Sequence, residues 1–231
     1  MAILIDGKAL AAKGKEQLIL DAATLPRRPG LAVILVGEDP ASRIYVNNKE
    51  KDCAQCGFLS YEYKLPEEAS EEEILDMLGF LNANPKVDGI LVQMPLPAHI
   101  DEERIIDAIL PDKDVDAFHP FNVGRMVIGD PVFLPCTPAG ILELLKEYGI
   151  SVAGKRCVVV GRSNIVGKPM ALLLMQNDGT VTTCHTKTQN LAEITRDADI
   201  LVCAAGCRNL ITGDMVKEGV VVIDVAMNRA E

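Results

Sequence analysis

An α/β protein of two domains, the second a Rossmann-type parallel sheet, is what three features of the 231-residue sequence predict. Apolar runs of strand length alternate with helically spaced segments, a proline- and glycine-rich stretch interrupts that alternation near mid-chain, and one apolar run feeds directly into a glycine turn. The runs are residues 31–36, 89–92, 157–160, 180–184, 200–204 and 220–223. They are continuous rather than alternating, as expected of strands covered on both faces by crossover helices. Between them, Ile74, Leu75, Leu78 and Leu81, and later Ile141, Leu142, Leu144 and Leu145, recur at helical spacing.

From residue 110 to 138 the pattern breaks, with seven prolines and glycines spread through LPDKDVDAFHPFNVGRMVIGDPVFLPCTP. This stretch reads as the inter-domain region, dividing the chain into 1–120 and 121–231. Thr137-Pro138 then has the form of a helix N-cap with proline at the first helical position, and the helix runs toward Gly149.

Composition narrows the partners. A formal net charge of -10 opposes binding to nucleic acid or an anionic membrane surface, and no basic run offsets it. No apolar window approaches the roughly 18 residues of a membrane span. Seven cysteines, with Cys136, Cys157, Cys184 and Cys203 inside apolar runs as small hydrophobes, fit a reducing, cytoplasmic setting. Cys53 and Cys56 have metal or redox spacing, but they lack a second pair or a histidine cluster and fall in a helical segment, so no metal site is expected.

The turn VVVGRSNIVGKP, residues 158–169, has the order strand, phosphate-cradling loop, helix start. Gly161 allows the tight bend and Gly167 the close approach of helix to strand, while Ser163 replaces the usual middle glycine. A helix N-terminus beyond such a turn offers unpaired N–H groups to a pyrophosphate. The next strand ends Cys184-His185-Thr186-Lys187 without the carboxylate that accepts from a ribose diol. Together with Arg162, that chemistry favours the 2′-phosphate of NADP.

In the first half, Tyr45 and Lys49 stand four apart on one helix face, a spacing that by itself fits a surface pair. Gln93 ends an apolar strand, where parallel sheets bind ligands, and Pro111-Asp-Lys-Asp-Val-Asp116 carries carboxylates into the inter-domain region. These segments, with VGEDPAS, DGILVQMPLP, PCTP and VVVGRSNIVGKPM in the same order along the whole chain, closely resemble the bifunctional methylenetetrahydrofolate dehydrogenase/cyclohydrolase (FolD) family.

The resemblance implies a folate-binding catalytic domain and an NADP-binding domain flanking a cleft. Tyr45 would stack on the folate ring system, Lys49 would be the central catalytic residue, Gln93 would tune Lys49, Asp116 would anchor the pterin and Ser42 would lie at the edge of the site. Gly161, Arg162 and Ser163 would hold the cofactor phosphates, with Thr186 near the adenosine ribose and Met227 in the segment facing the nicotinamide end. It further implies a homodimer acting in one-carbon metabolism that supplies purine, methionine and histidine biosynthesis. Hydrolysis requires a proton acceptor, a role Lys49 can fill where burial lowers its pKa.

The sequence departs from the family pattern at Ala117, at Ala226, at Cys207-Arg208 and at its end. Ala117 and Ala226 stand where glycine is usual, and either would be strained at positive φ. The family's Pro-Val-Pro-Gly-Gly loop and closing helix do not follow the Asn-Arg segment, so the chain reads as a C-terminally shortened member. The competing expectation is a dinucleotide-binding protein without turnover; a dehydrogenase acting on another substrate is opposed by Tyr45, Lys49, Gln93 and Asp116 occurring together.

Overall fold

The computed structural model describes residues 2–227. Asn228 and Arg229 of the C-terminal Asn-Arg segment lie outside them. The chain forms two compact units. One comprises Asp6–Arg125 with Asp130–Phe133; the other comprises the chain from Leu134 onward with Met126–Gly129 and the residues up to Ile5.

The N-terminal unit runs α1 (Gly7–Thr24), β1 (Gly30–Val36), α2 (Pro40–Gln55), β2 (Leu59–Leu65), α3 (Glu71–Ala83), β3 (Gly89–Val92) and α4 (Glu102–Asp107), then a 3-10 turn at Pro111–Lys113 and α5 (Pro120–Val127). Its parallel sheet has the order β2-β1-β3, so β1 is central. Alternate residues of β1 serve two cores. Ala32, Ile34 and Val36 pack with Ile74, Leu78 and Leu81 of α3, whereas Val33 and Leu35 pack with Val46 of α2 and Leu91 of β3. That two-sided burial is why the strand reads as an unbroken apolar run.

Strand β2, LSYEYKL, does not appear in the apolar pattern. It lies at the sheet edge, half-buried, with polar residues between its aromatics, so it lacks the signature of a central strand. Helix α1, 18 residues long, has no buried residue and likewise carries no sharp apolar stripe.

Two caps fix α3. Ser70 and Glu73 form a reciprocal capping box at its start. At its end, the ammonium of Lys113 donates to the carbonyls of Leu81 (3.1 Å), Asn82 (2.8 Å) and Asn84 (2.9 Å), which fastens the 111–113 turn to the helix.

The C-terminal unit runs α6 (Cys136–Glu147), β4 (Arg156–Val160), α7 (Gly167–Gln176), β5 (Thr180–Cys184), α8 (Leu191–Arg196), β6 (Ile200–Cys203), a 3-10 turn at Gly213–Met215 and β7 (Val221–Asp224). All four strands are parallel in the order β5-β4-β6-β7, the doubly wound arrangement of a Rossmann-type half. Val158, Val160, Cys184 and Leu201 form one core face, and Leu191 and Ile194 of α8 pack on it.

Some expectations shift. Helix α6 begins at Cys136 with Pro135 as N-cap, not at Thr137, because Ala139 N–H already donates to Pro135 O at 3.0 Å. Cys136 is consequently exposed on the first turn rather than packed as a hydrophobe. The 110–138 stretch, expected as the inter-domain region, holds a 3-10 turn and α5. Among the described residues, no helix is long and apolar enough to cross a membrane.

Replacing Lys113 with methionine leaves three carbonyls at the end of α3 without their charged donor. Urea denaturation should show Lys113→Met destabilised by about 2 kcal/mol.

Candidate active site and dinucleotide cradle

The N-terminal unit assembles its chemistry at the carboxyl ends of β1 and β3. Asp39 caps α2, its carboxylate accepting from Ser42 N–H at 2.8 Å, and Pro40 sits in the first turn. This fixes the rotation of the helix that bears Tyr45 and Lys49. The backbone of Gln93 continues β3, its N–H donating to Ile34 O at 2.9 Å, so its side chain leaves the sheet at the strand's end.

There the amide is held from both sides. Its Nε2 donates to Met94 O at 2.8 Å, and its Oε1 accepts from Lys49 Nζ at 3.2 Å. Lys49 is half-buried, Tyr45 one turn earlier is 44% exposed, and Ser42 is buried. An exposed tyrosine thus stands one turn from a lysine held by Gln93.

Asp116 lies close enough to Lys49 for the two charges to act on each other. Burial pushes its carboxyl up from 3.8 to about 6; the Lys49 ammonium pulls it down, and the charge of Asp114 pushes it up. Asp114 is not among the residues singled out by motif, yet it is the more deeply buried of the two, 2% exposed. Its Oδ2 accepts from His119 N–H (2.8 Å) and Asn122 Nδ2 (2.9 Å). Ala117 has φ of +57°, so its buried methyl sits in the left-handed region that glycine would occupy without cost.

In the C-terminal unit the glycine turn is closely packed. A Cβ on Gly161, where φ is +134°, would fall 2.6 Å from Ala204 O, and one on Gly167 would fall 2.4 Å from Gly161 O. Neither position admits another residue. Ser163 Oγ accepts from the N–H groups of Val166 and Gly167, both at 3.2 Å, and so shapes the entry to α7 while keeping its own proton to donate. Arg162 and Ser163 are exposed on the turn, as are Thr186 and Lys187 after β5. His185 and Thr188, whose roles the sequence did not disclose, fold that second turn: His185 N–H donates to Thr188 Oγ1 at 2.8 Å, and Thr188 N–H returns to His185 O at 2.8 Å.

A cavity of about 220 Å³ opens at the carboxyl ends of β4, β6 and β7, lined in part by Val160, Cys203, Ala205, Arg208, Asp224 and Ala226. This is the switch point, where β5 and β6 lie on opposite sides of β4. Met227, 73% exposed, has its carbonyl 3.6 Å from where a Cβ on Gly206 would stand, beside the same loop. Ala226 is not among the residues with positive φ, so its methyl adds no backbone strain. Donors and cations at the turns, with no carboxylate at the end of β5, fit a phosphorylated dinucleotide. Among the described residues no cluster of His, Cys, Asp or Glu could hold a metal ion.

The raised pKa of Asp116 makes stability depend on pH. The folded state binds this proton more tightly than the unfolded state, so the contribution of Asp116 to stability is fully present below about pH 4 and is lost as pH rises through about 6. Asp116→Asn should therefore be more stable than the parent at pH 8 by about 3 kcal/mol and should lose most of that dependence, as read by urea denaturation across pH 4–8.

Comparison with known proteins agrees with this geometry. Residues 5–116 match the family described as tetrahydrofolate dehydrogenase/cyclohydrolase, catalytic domain, and residues 135–231 match its NAD(P)-binding domain. The bifunctional protein FolD of Acetivibrio thermocellus is 58% identical over 233 residues, covering 100% of this chain and 82% of that protein. The structure of the bifunctional FolD enzyme from Campylobacter jejuni superposes with a TM-score of 0.97 at 50% identity, covering 99% of this chain and 83% of that one. That of the Trypanosoma brucei FolD enzyme, complexed with NADP cofactor and inhibitor, gives 0.95 at 39% identity, covering 98% and 80%. With both family domains matched in order, and with relatives well above half identical across the chain, the chain belongs to the tetrahydrofolate dehydrogenase/cyclohydrolase family.

Proposed function

We propose that this chain oxidises methylenetetrahydrofolate to methenyltetrahydrofolate with NADP and hydrolyses that product to formyltetrahydrofolate. The observation that carries the reading is Lys49 Nζ held 3.2 Å from Gln93 Oε1, with the Asp116 carboxyl inside the reach of its charge.

The first step asks little of protein acids and bases. The reacting methylene carbon is flanked by two nitrogens whose lone pairs stabilise the cation as it forms, so orientation is the main requirement. NADP, when bound, supplies the acceptor for the hydride that leaves this carbon. Gly161, Arg162 and Ser163 are assigned to its phosphates, Thr186 to the adenosine ribose and Met227 to the nicotinamide end. Asp116, as a carboxylate, accepts from the amino and ring N–H donors of the pterin, and Tyr45 offers its open face to the ring system.

In the second step water adds to the methenyl carbon. Lys49 takes one proton from that water and returns it to the ring nitrogen as the carbon–nitrogen bond breaks, and the second proton of the water leaves to solvent as the formyl carbonyl forms. Gln93, whose amide is oriented by Met94 O, keeps the amine directed through the cycle. Ser42, buried in the first turn of α2, backs the edge of this site. We assign the protein to cytoplasmic one-carbon metabolism feeding purine, methionine and histidine synthesis, as a homodimer, on the strength of its family membership. The net charge of -10 supports small-molecule rather than nucleic-acid or membrane partners.

Following methenyltetrahydrofolate absorbance with NADP and with NAD tests the reading. NADP binding without turnover would instead support a non-catalytic dinucleotide-binding protein. In Lys49→Met, hydrolysis should fall at least about 100-fold while NADP affinity is retained; undiminished hydrolysis would overturn the assignment of Lys49. Arg162→Ala should raise KM for NADP about tenfold and leave KM for NAD nearly unchanged.

A further inference from the structure

The loop carrying Asp116 is closed on itself by two buried side chains that the reaction does not use. Asn122 is 0% exposed, and its Nδ2 donates to both Pro111 O and Asp114 Oδ2, at 2.9 Å each. Asp114 Oδ2 in turn accepts from His119 N–H at 2.8 Å. The main chain of Asp114 is tied as well, with its N–H donating to Leu110 O (3.1 Å), its O accepting from Ala117 N–H (3.2 Å), and a parallel bridge to Ile90 of β3. Residues 111 through 122 therefore form a ring in which His119 and Asn122 both donate to one carboxylate oxygen of Asp114, and Asn122 ties the first turn in through Pro111 O.

Asp116 lies inside that ring, between the Asp114 anchor and the left-handed Ala117. An aspartate two residues from its anchor, on a loop with no regular structure of its own, takes its direction from the backbone of that loop. We infer that Asp114 and Asn122 are positioning residues that hold Asp116 beside Lys49 for folate binding, a role that rests on the functional reading above.

The location of the ring favours this over simple packing. A clamp serving only the core would be satisfied by apolar residues of similar volume, whereas burying an ionised carboxylate costs several kcal/mol unless well paired. Asn122 also leaves its Oδ1 buried and without a hydrogen-bond partner. Groups that are costly to bury in this way, and that flank a substrate-facing carboxylate, are explained by the geometry they impose. The charge of Asp114 has a second effect, since it opposes ionisation of Asp116, while Lys49 of α2 favours it.

Three variants and two readouts test the inference. Asp114→Ala and Asn122→Val open the ring. Each should raise KM for methylenetetrahydrofolate about tenfold, the scale of one lost oriented contact, with KM for NADP within about twofold. Asp114→Asn retains an acceptor oxygen for both donors but removes the charge, so it should keep KM within about threefold.

The second readout is the titration of the Asp116 carboxyl by carbon-13 NMR, which needs no folate. Asp116 should titrate lower in Asp114→Asn because the opposing charge is gone, and lower in Asn122→Val because the loop opens to water. A tenfold rise in folate KM in Asp114→Asn, which keeps the hydrogen bonds of the ring, would overturn the inference even if the ring-opening variants fail to fold. So would folded Asp114→Ala or Asn122→Val with the parental folate KM, or a parallel rise in both KM values. If the parent itself turns over no folate, the functional reading fails, while the titration still reports whether the ring positions Asp116.

Discussion

Both candidate sites depend on one topological constraint: in each unit a central parallel strand has its neighbours in the chain placed on opposite sides. In the N-terminal unit that strand is β1, flanked by β2 and β3; in the C-terminal unit it is β4, flanked by β5 and β6. The chain leaving the carboxyl end of the central strand crosses to one side while the chain leaving its other neighbour, β3 or β6, continues elsewhere, so a crevice opens there that no crossover fills. The start of α2 and Gln93 border the first crevice, and the glycine turn and the cavity near Asp224 border the second. The apolar cores on both faces of β1 hold the Lys49–Gln93 pair in register, because the residues concerned leave rigid elements that cannot rotate independently.

The parts of this arrangement that were legible in the sequence share a physical origin. Strands β1, β3, β4 and β6 are buried on both faces, so they announce themselves as continuous apolar runs, and a turn that admits no Cβ must be written with glycine, as at Gly161 and Gly167. Strand β2 and helix α1 were not legible because their half-exposed residues obey no strict pattern. At the candidate site, Lys49, Gln93 and Asp116 were found through motif and position, whereas Asp114 and Asn122 were not. Their importance lies in bonds to main-chain atoms up to eleven residues away, and such bonds leave no composition or spacing signal. The same holds for Lys113, which reads as part of a charged loop until its three carbonyl acceptors are seen.

The loop around Asp116 concentrates unfavourable terms: a carboxyl raised by burial, a second buried carboxylate beside it, an orphaned amide oxygen and a left-handed alanine. A left-handed conformation at alanine costs on the order of 1 kcal/mol, and none of these features improves packing. Local costs of this kind collect where geometry serves a ligand rather than the core, and the apolar layers of β1 and α3 beneath supply the compensating stability.

The hydroxyl of Ser163 carries a consequence for how an anion is received. A glycine at that place would leave the first amides of α7 free to wrap a phosphate, at the expense of a floppy loop that must be ordered on each encounter. Here the serine oxygen already occupies the amides of Val166 and Gly167, so the loop is rigid before any ligand arrives. The protein trades two strong contacts for a ready-made shape, an arrangement suited to a carrier that must dock and depart with every catalytic cycle.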